Sequence, residues 1–370
     1  KIMLVFGTRP EAIKMAPVYK SLSRDSNFNV HLCVTAQHRE LLDQVIDLFD
    51  LPVHTDLNIM KVGQDTVDIM TNVMNGLKPV IESSKPDMLL VHGDTTTSVS
   101  AALVGFLMGV PVGHVEAGLR TFDLKFPWPE EANRQLVSKI SDFHFAPTKE
   151  ASKNLIKEGV QKNKIFITGN TVIDALLRTK EKIKRDKKLV SKLRKEFNFL
   201  DENKKLILVT GHRRENFGEG LMNICEAIKV ISSREVQVIY SVHLNPNVKK
   251  TVSKILKNVD DVHLLQPLDY FKFVYLMEKS HFILTDSGGI QEEAPSLNKP
   301  VLVMRDKTER PEALKTGAIK LVGTSKKKII QESFSLLDDE KKYNAMAYEE
   351  NPYGDGKSSK RILKIIKDLK

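Results

Sequence analysis

The side chains with the most chemical potential in this chain stand just after short apolar runs. Met88-Leu89-Leu90-Val91 is followed by His92-Gly93-Asp94-Thr95-Thr96, and Val112–Val115 by Glu116-Ala117-Gly118-Leu119-Arg120. A carboxylate that ends a buried strand is costly unless it is paired or put to use, and carboxylates held near a substrate serve as general acid and base. Asp94 and Glu116 are therefore candidates for proton transfer. Plain alternatives stand beside them: Asp94 as the N-cap of the next helix, and Glu116 as the ion-pair partner of Arg120. Glu130 follows Pro127-Trp128-Pro129, where an acidic residue also suits the first turn of a helix. His212, in Gly211-His212-Arg213-Arg214-Glu215, follows another apolar run. Histidine moves protons near neutral pH, although a hydrogen-bonded surface histidine fits as well.

Other strand ends are suited to anions. Gly7-Thr8-Arg9-Pro10 runs from the first apolar segment into a helical pattern, with Lys14 one turn further on. Backbone N–H groups, the helix dipole and the cations Arg9 and Lys14 would make an anion site there, the plain alternative being a basic helix start with exposed side chains. Thr285-Asp286-Ser287-Gly288-Gly289-Ile290-Gln291-Glu292-Glu293 repeats the arrangement with paired glycines. Gly288 and Gly289 would let phosphate approach the backbone, and Glu293 would accept from ribose hydroxyls; a glycine pair also ends a strand for purely structural reasons. Arg310 closes a further cationic stretch that begins at Arg305. No Gly-x-Gly-x-x-Gly follows the first strand, and Gly356-Lys357-Ser358 lacks the upstream glycine of a phosphate-binding P-loop. No His-Glu-x-x-His or paired Cys-x-x-Cys suggests a metal, so no metal or other cofactor is expected.

The elements that must position these residues alternate. β-rich runs are predicted at Ile2–Phe6, Val30–Thr35, Met88–Val91, Val112–Val115, Phe143–Ala146 and Ile165–Ile167. A second series covers Leu206–Thr210, Val236–Val242, Val262–Leu265, Phe282–Thr285, Val301–Val303 and Ile319–Leu321. Helix-period segments such as Thr97–Leu107 and Leu221–Ser232 fall between them. This is the pattern of α/β folding with parallel sheets. Two domains suit 370 residues of which 41% are hydrophobic. The boundary is expected near Gly169, giving domains at 1–169 and 170–356, with an amphipathic helix at 357–370. Arg178 to Lys205 reads as lysine-rich helical surface. The first strands of both halves run into Gly-x-Arg-x-Glu, so equivalent loops of two similar domains are expected to carry function.

A net charge of +10 raises the question of nucleic acid. The excess lies in lysine-rich stretches without interleaved aromatics to stack bases, so neither nucleic acid nor a membrane is the expected partner. No run reaches the roughly 18 apolar residues of a membrane span. No signal-peptide pattern is seen, and Cys33 and Cys225 sit in apolar stretches as buried thiols. A cytoplasmic location is the expectation.

Taken in order, these stretches resemble the non-hydrolysing UDP-N-acetylglucosamine 2-epimerases of bacteria. The resemblance rests on Phe6–Lys14, Val91–Thr97, Gly113–Thr121, Pro129–Arg134, Thr210–Glu215, Thr285–Ser296 and Asn351–Gly356. It implies a glycosyltransferase-B-type fold, with two Rossmann-like domains facing across a cleft and the C-terminal helix joining the first. It implies a homodimer acting on UDP-N-acetylglucosamine without metal or NAD. Asp94, Glu116, Glu130 and His212 would be the catalytic set. UDP would lie on Ser287, Gly288 and Gly289, with Glu293 at the ribose, Arg310 at phosphate, Phe273 at the uracil, and Arg9 and Lys14 reaching in. Some members carry a second, activating nucleotide-sugar site, which Gln37, His38 and His243 resemble in part. A glutamine and an arginine of that site are replaced here by Glu40 and Gly63.

Overall fold

Parallel strands covered on both faces read as continuous apolar runs, and the computed structural model follows that reading. It describes residues 1–369 apart from 38, 62, 212 and 309. Thirteen strands are described: β1 Ile2–Phe6, β2 Val30–Val34, β3 Thr55–Asp56, β4 Met88–His92, β5 Val112–Val115, β6 Phe143–Ala146, β7 Ile165–Ile167, β8 Lys205–Gly211, β9 Val236–Val242, β10 Val262–Leu265, β11 Phe282–Thr285, β12 Val301–Val303 and β13 Ile319–Leu321. Seven strands form one sheet in the order β3-β2-β1-β4-β5-β6-β7, and six form another in the order β10-β9-β8-β11-β12-β13. Every strand pair is parallel. Both sheets reverse direction beside their first strand, β1 against β4 and β8 against β11. In doubly wound sheets, ligands bind outside the carboxyl ends of strands at such points.

The predicted strands are present, with ends shifted by a residue at β2, β4 and β8. Sequence reading missed β3, because two residues are too few to show a period.

The chain divides into two compact units. Unit 1 comprises Lys1–Ala175 and Tyr353–Lys370, and unit 2 comprises Leu176–Pro352. The first crossing falls six residues beyond Gly169, inside the helix Thr171–Arg185. A helix that continues through the crossing leaves no linker composition to mark it. The chain returns at Tyr353, a few residues earlier than position 356.

Unit 1 buries Met3, Val5, Leu89, Val91, Ala101 and Val112 between its sheet and helices. Unit 2 packs Ile207, Val209, Val238, Tyr240, Leu284 and Leu302 against the helix Glu219–Ile231. Cys33 and Cys225 are buried free thiols, both pushed up to about 12 by desolvation. Among the described residues no helix is long and apolar enough to cross a membrane.

The terminal helix Ser358–Asp368 packs on unit 1, against the helix Arg9–Leu22. A buried aspartate from another helix caps it. Asp174 accepts from Ser358 N at 3.0 Å, Ser359 N at 2.8 Å and Ser359 Oγ at 2.6 Å. These are amides a helix start leaves without intrahelical partners. Asp174→Ala should cost about 2 kcal/mol and lower the thermal midpoint of unit 1 by about 4–8 °C. Scanning calorimetry checks this; an unchanged midpoint would show that the cap carries no stability.

Candidate functional site

Thr8 stands at the N-cap of the helix Arg9–Leu22, and Glu11 reaches back to its amide. Arg9 takes the first helical position and Pro10 the second. The Glu11 carboxyl is fully enclosed. Its Oε2 accepts from Gly7 N at 3.1 Å and Thr8 N at 2.9 Å. Its Oε1 accepts from Thr95 Oγ1 at 2.7 Å and lies 2.9 Å from Ser98 Oγ. Ser98 Oγ also donates to His92 O at 2.5 Å. One hydroxyl carries one proton, so the contacts to Glu11 and His92 O compete for it. Desolvation raises the Glu11 pKa, against the opposing hydrogen bonds. The Glu11 carboxyl locks the loop after β1 to the helix after β4.

One turn along the same helix, Lys14 pairs with Glu116. Both side chains are largely buried. Asn170 Nδ2 donates to the same carboxylate oxygen at 2.8 Å, and His92 Nε2 lies 3.8 Å from it. Burial lowers His92 to about 4, with Glu116 opposing the shift, so the ring is neutral near pH 7. Glu116 itself holds a left-handed backbone, φ +63°. It stands in the turn that follows β5, and a left-handed backbone is uncommon for any residue but glycine. Arg120 is not its partner: Arg120 is bound bidentately by Glu158, at 2.6 and 2.8 Å. Lys14, expected with Arg9 to receive an external anion, meets this internal one.

Asp94 does not cap the following helix either; Thr95 does, accepting from Ser98 N at 3.1 Å. Asp94 meets Arg134, whose Nε and a terminal nitrogen donate at 2.8 and 2.7 Å. Asn133 Nδ2 donates to the Asp94 carbonyl at 2.8 Å. Buried Glu131 then accepts from Thr121 N and Phe122 N at 3.0 and 3.2 Å, fixing the preceding loop. Glu130, half-buried, occupies the first position of the helix Glu130–Ile140. Among the described residues no hydrogen bond joins it to Asp94 or Glu116.

In unit 2, Ser287 precedes the short helix Gly288–Glu293. Buried Asp286 accepts from Arg213 N at 2.9 Å and Asn216 Nδ2 at 3.1 Å, tying the loop after β8 to the loop after β11. Arg310 pairs with buried Glu292, and its guanidinium lies 3.5 Å from where a Cβ on Gly288 would stand. Glu293 accepts from Tyr270 Oη at 2.6 Å. Tyr270 is raised well above its ordinary value by burial and then by Glu293, so it remains a donor. Phe273 is half-buried on the helix Tyr270–Lys279. Ser287, Gly288, Gly289, Glu293 and Arg310 are therefore brought together.

His212 and His38 lie outside the described residues. In unit 1, Gln37 accepts from Thr97 Oγ1 at 3.0 Å. In unit 2, His243 is exposed and accepts from Asn245 N at 3.2 Å. Sequence reasoning missed Glu11, His92, Arg134, Asn170 and Tyr270 as parts of these clusters. Asn170 had a signal, since it follows β7 where ligand-side residues are expected. Among the described residues no group of three His, Cys, Asp or Glu is arranged for a metal.

Residues 20–367 match the family model described as UDP-N-acetylglucosamine 2-epimerase. A UDP-N-acetylglucosamine 2-epimerase of Yersinia pestis is 56% identical over 370 residues, covering 100% of this chain and 98% of that relative. The crystal structure of UDP-GlcNAc 2-epimerase from Neisseria meningitidis bound to UDP-GlcNAc superposes with a TM-score of 0.93 at 50% identity, covering 99% of each chain. A glycosyltransferase from Rickettsia africae shares the fold at 13% identity and a TM-score of 0.63, covering 100% of this chain and 98% of that one. The fold is of glycosyltransferase-B type.

If Glu11 is held neutral, Glu11→Gln keeps an acceptor and a donor in the same places, and the unfolding free energy read in urea near pH 4 should hold to within about 1 kcal/mol. Glu11→Ala strands the buried amides of Gly7 and Thr8 and should cost about 3 kcal/mol or more. A raised carboxyl pKa means the folded chain binds the proton more tightly. The contribution of Glu11 is full below its ordinary 4.5 and is lost as pH rises through the folded value. Wild type should therefore weaken relative to Glu11→Gln between pH 4 and 8. The opposite trend would mean an ionised Glu11.

Proposed function

The chain belongs to the UDP-N-acetylglucosamine 2-epimerase family, isomerases of a nucleotide sugar, and from that premise we propose how its residues invert carbon 2. Carbon 2 has no neighbouring carbonyl, so direct removal of its proton would leave an unstabilised carbanion. Elimination avoids that state. A base takes the C2 proton, the C1–C2 double bond forms, and the C1–O bond electrons leave with UDP. The intermediate is 2-acetamidoglucal. UDP oxygen then readds to C1 while an acid protonates the other face of C2.

The observation that carries the reading is the Glu116 cluster: a carboxylate at a strand end, in a left-handed backbone, bound by Lys14 and Asn170. It supports proton transfer at C2. Asp94, held by Arg134, Glu130 and His212 complete the proposed catalytic set. Ser287, Gly288, Gly289 and Arg310 would hold the departing diphosphate, where preorganised donors and a cation stabilise developing charge. Arg9 would add a further cation. Glu293, already accepting from Tyr270, would receive a ribose hydroxyl, and Phe273 would cover the uracil. Gln37, His38 and His243 are the residues a second nucleotide-sugar site would use. We infer a homodimer and a role in supplying cell-envelope polysaccharide synthesis.

Asp94→Asn and Glu116→Gln should each lower kcat by about 100-fold or more, while the Kd for UDP, read by calorimetry, changes by no more than about threefold. Near-native kcat in both would reject this assignment. In heavy water, NMR should show deuterium entering C2 of an intact UDP-sugar. Retention of the original hydrogen would exclude elimination, and free N-acetylmannosamine with UDP would identify a hydrolysing enzyme.

A further inference from the structure

Asn170 bonds to Glu116, to the start of the helix that follows it and to the returning chain. Its Nδ2 donates to Glu116 Oε2 at 2.8 Å, its Oδ1 accepts from Val172 N at 3.0 Å, and its own N–H donates to Tyr353 O at 2.7 Å. Val172 lies in the helix by which the chain leaves unit 1, and Tyr353 is the first residue on its return. Asn170 is 2% exposed, so these bonds compete little with water. Gly169, at φ +86°, keeps the two crossings close: a Cβ there would meet Ser358 Oγ at 2.5 Å and Gly354 Cα at 3.5 Å.

The groups facing Glu116 divide the work. Lys14, from the helix after β1, supplies charge. His92, from β4, stands 3.8 Å away and neutral, with Asp94 and Lys14 acting on it from further off. Asn170 supplies direction. An amide is a fixed neutral donor, which orients a carboxylate without adding a second titrating charge.

We propose that Asn170 is a positioning residue for the reaction: it holds the Glu116 carboxylate in its reactive orientation and ties that orientation to both chain crossings. The proposal rests on Glu116 acting at carbon 2. Asn170→Ala removes the donor and should lower kcat by about 10–100-fold, as small misplacements of reacting groups do. KM and the Kd for UDP should stay within about threefold. Asn170→Asp is isosteric and keeps the acceptor for Val172 N, but sets a second carboxyl against Glu116. Like charges that close raise the pKa of the pair, so the acid limb of the kcat–pH profile should move up by about one unit or more. Rates are read by deuterium entry at carbon 2, which keeps slow variants measurable.

An Asn170→Ala kcat within about threefold of wild type, or parallel losses in kcat, KM and UDP affinity, would overturn the proposal. So would an unmoved acid limb in Asn170→Asp, which decides alone if the alanine variant does not fold. Glu116→Gln separates the two levels. If it turns over at a near-native rate, the reading of the site fails. If it is inactive while both Asn170 variants behave as wild type, only the role of Asn170 fails.

Discussion

A carboxyl group sealed away from water sets the geometry of unit 1. Glu11 takes two backbone amides of the loop after β1 on one oxygen and meets two hydroxyls at the helix start after β4 with the other. Such a group is tolerated only if every lone pair and proton is matched, so its bonds fix the two loops relative to each other. Lys14 is carried on the helix that Glu11 opens, and its reach to Glu116 depends on that registration. Gly7 belongs to the same constraint. A Cβ there would collide with Thr35 Oγ1 and meet Thr97 Oγ1 at 2.6 Å, so the loop can pass only as glycine.

Much of the fold was legible because parallel strands buried on both faces leave uninterrupted apolar runs. Met88–Val91 and Val236–Val242 announce themselves this way. The strand-end rule then found Asp94, Glu116 and Ser287 without knowledge of their neighbours. What it could not give was pairing across elements. Glu116 looked to Arg120, four residues on, yet its cation comes from Lys14, 102 positions earlier. Arg120 went to Glu158 and Asp94 to Arg134. These choices follow from strand order, which brings β1, β4 and β5 side by side, and local spacing carries no record of that order. Asn170 escaped for a related reason, since it sits where the sequence showed only a boundary.

Both units pair their charged groups internally. In unit 1 Glu116 meets Lys14 and Asp94 meets Arg134, with the neutral amide of Asn170 also on Glu116. In unit 2 the arginines are clamped by carboxylates, Arg310 by Glu292 and Arg305 by Glu215. A guanidinium fixed before a ligand arrives needs no reorganisation when negative charge develops beside it. On the proposed reading, one unit manages the hydrogen and the other the leaving group, a division the shared Gly-x-Arg-x-Glu loops do not reveal by themselves.

The Asp174 cap joins residues far apart in chain order, since Ser358 and Ser359 are made only after all of Leu176–Pro352. Unit 2 is thus an insertion within unit 1. During synthesis, domains tend to fold as they emerge, but the helix Arg9–Leu22 must wait for the helix Ser358–Asp368 that packs on it. The apolar face that Ile362 and Ile366 will cover stays bare on the nascent chain throughout that interval. Slow translation of the intervening segment would lengthen the time for which a chaperone has to shield it.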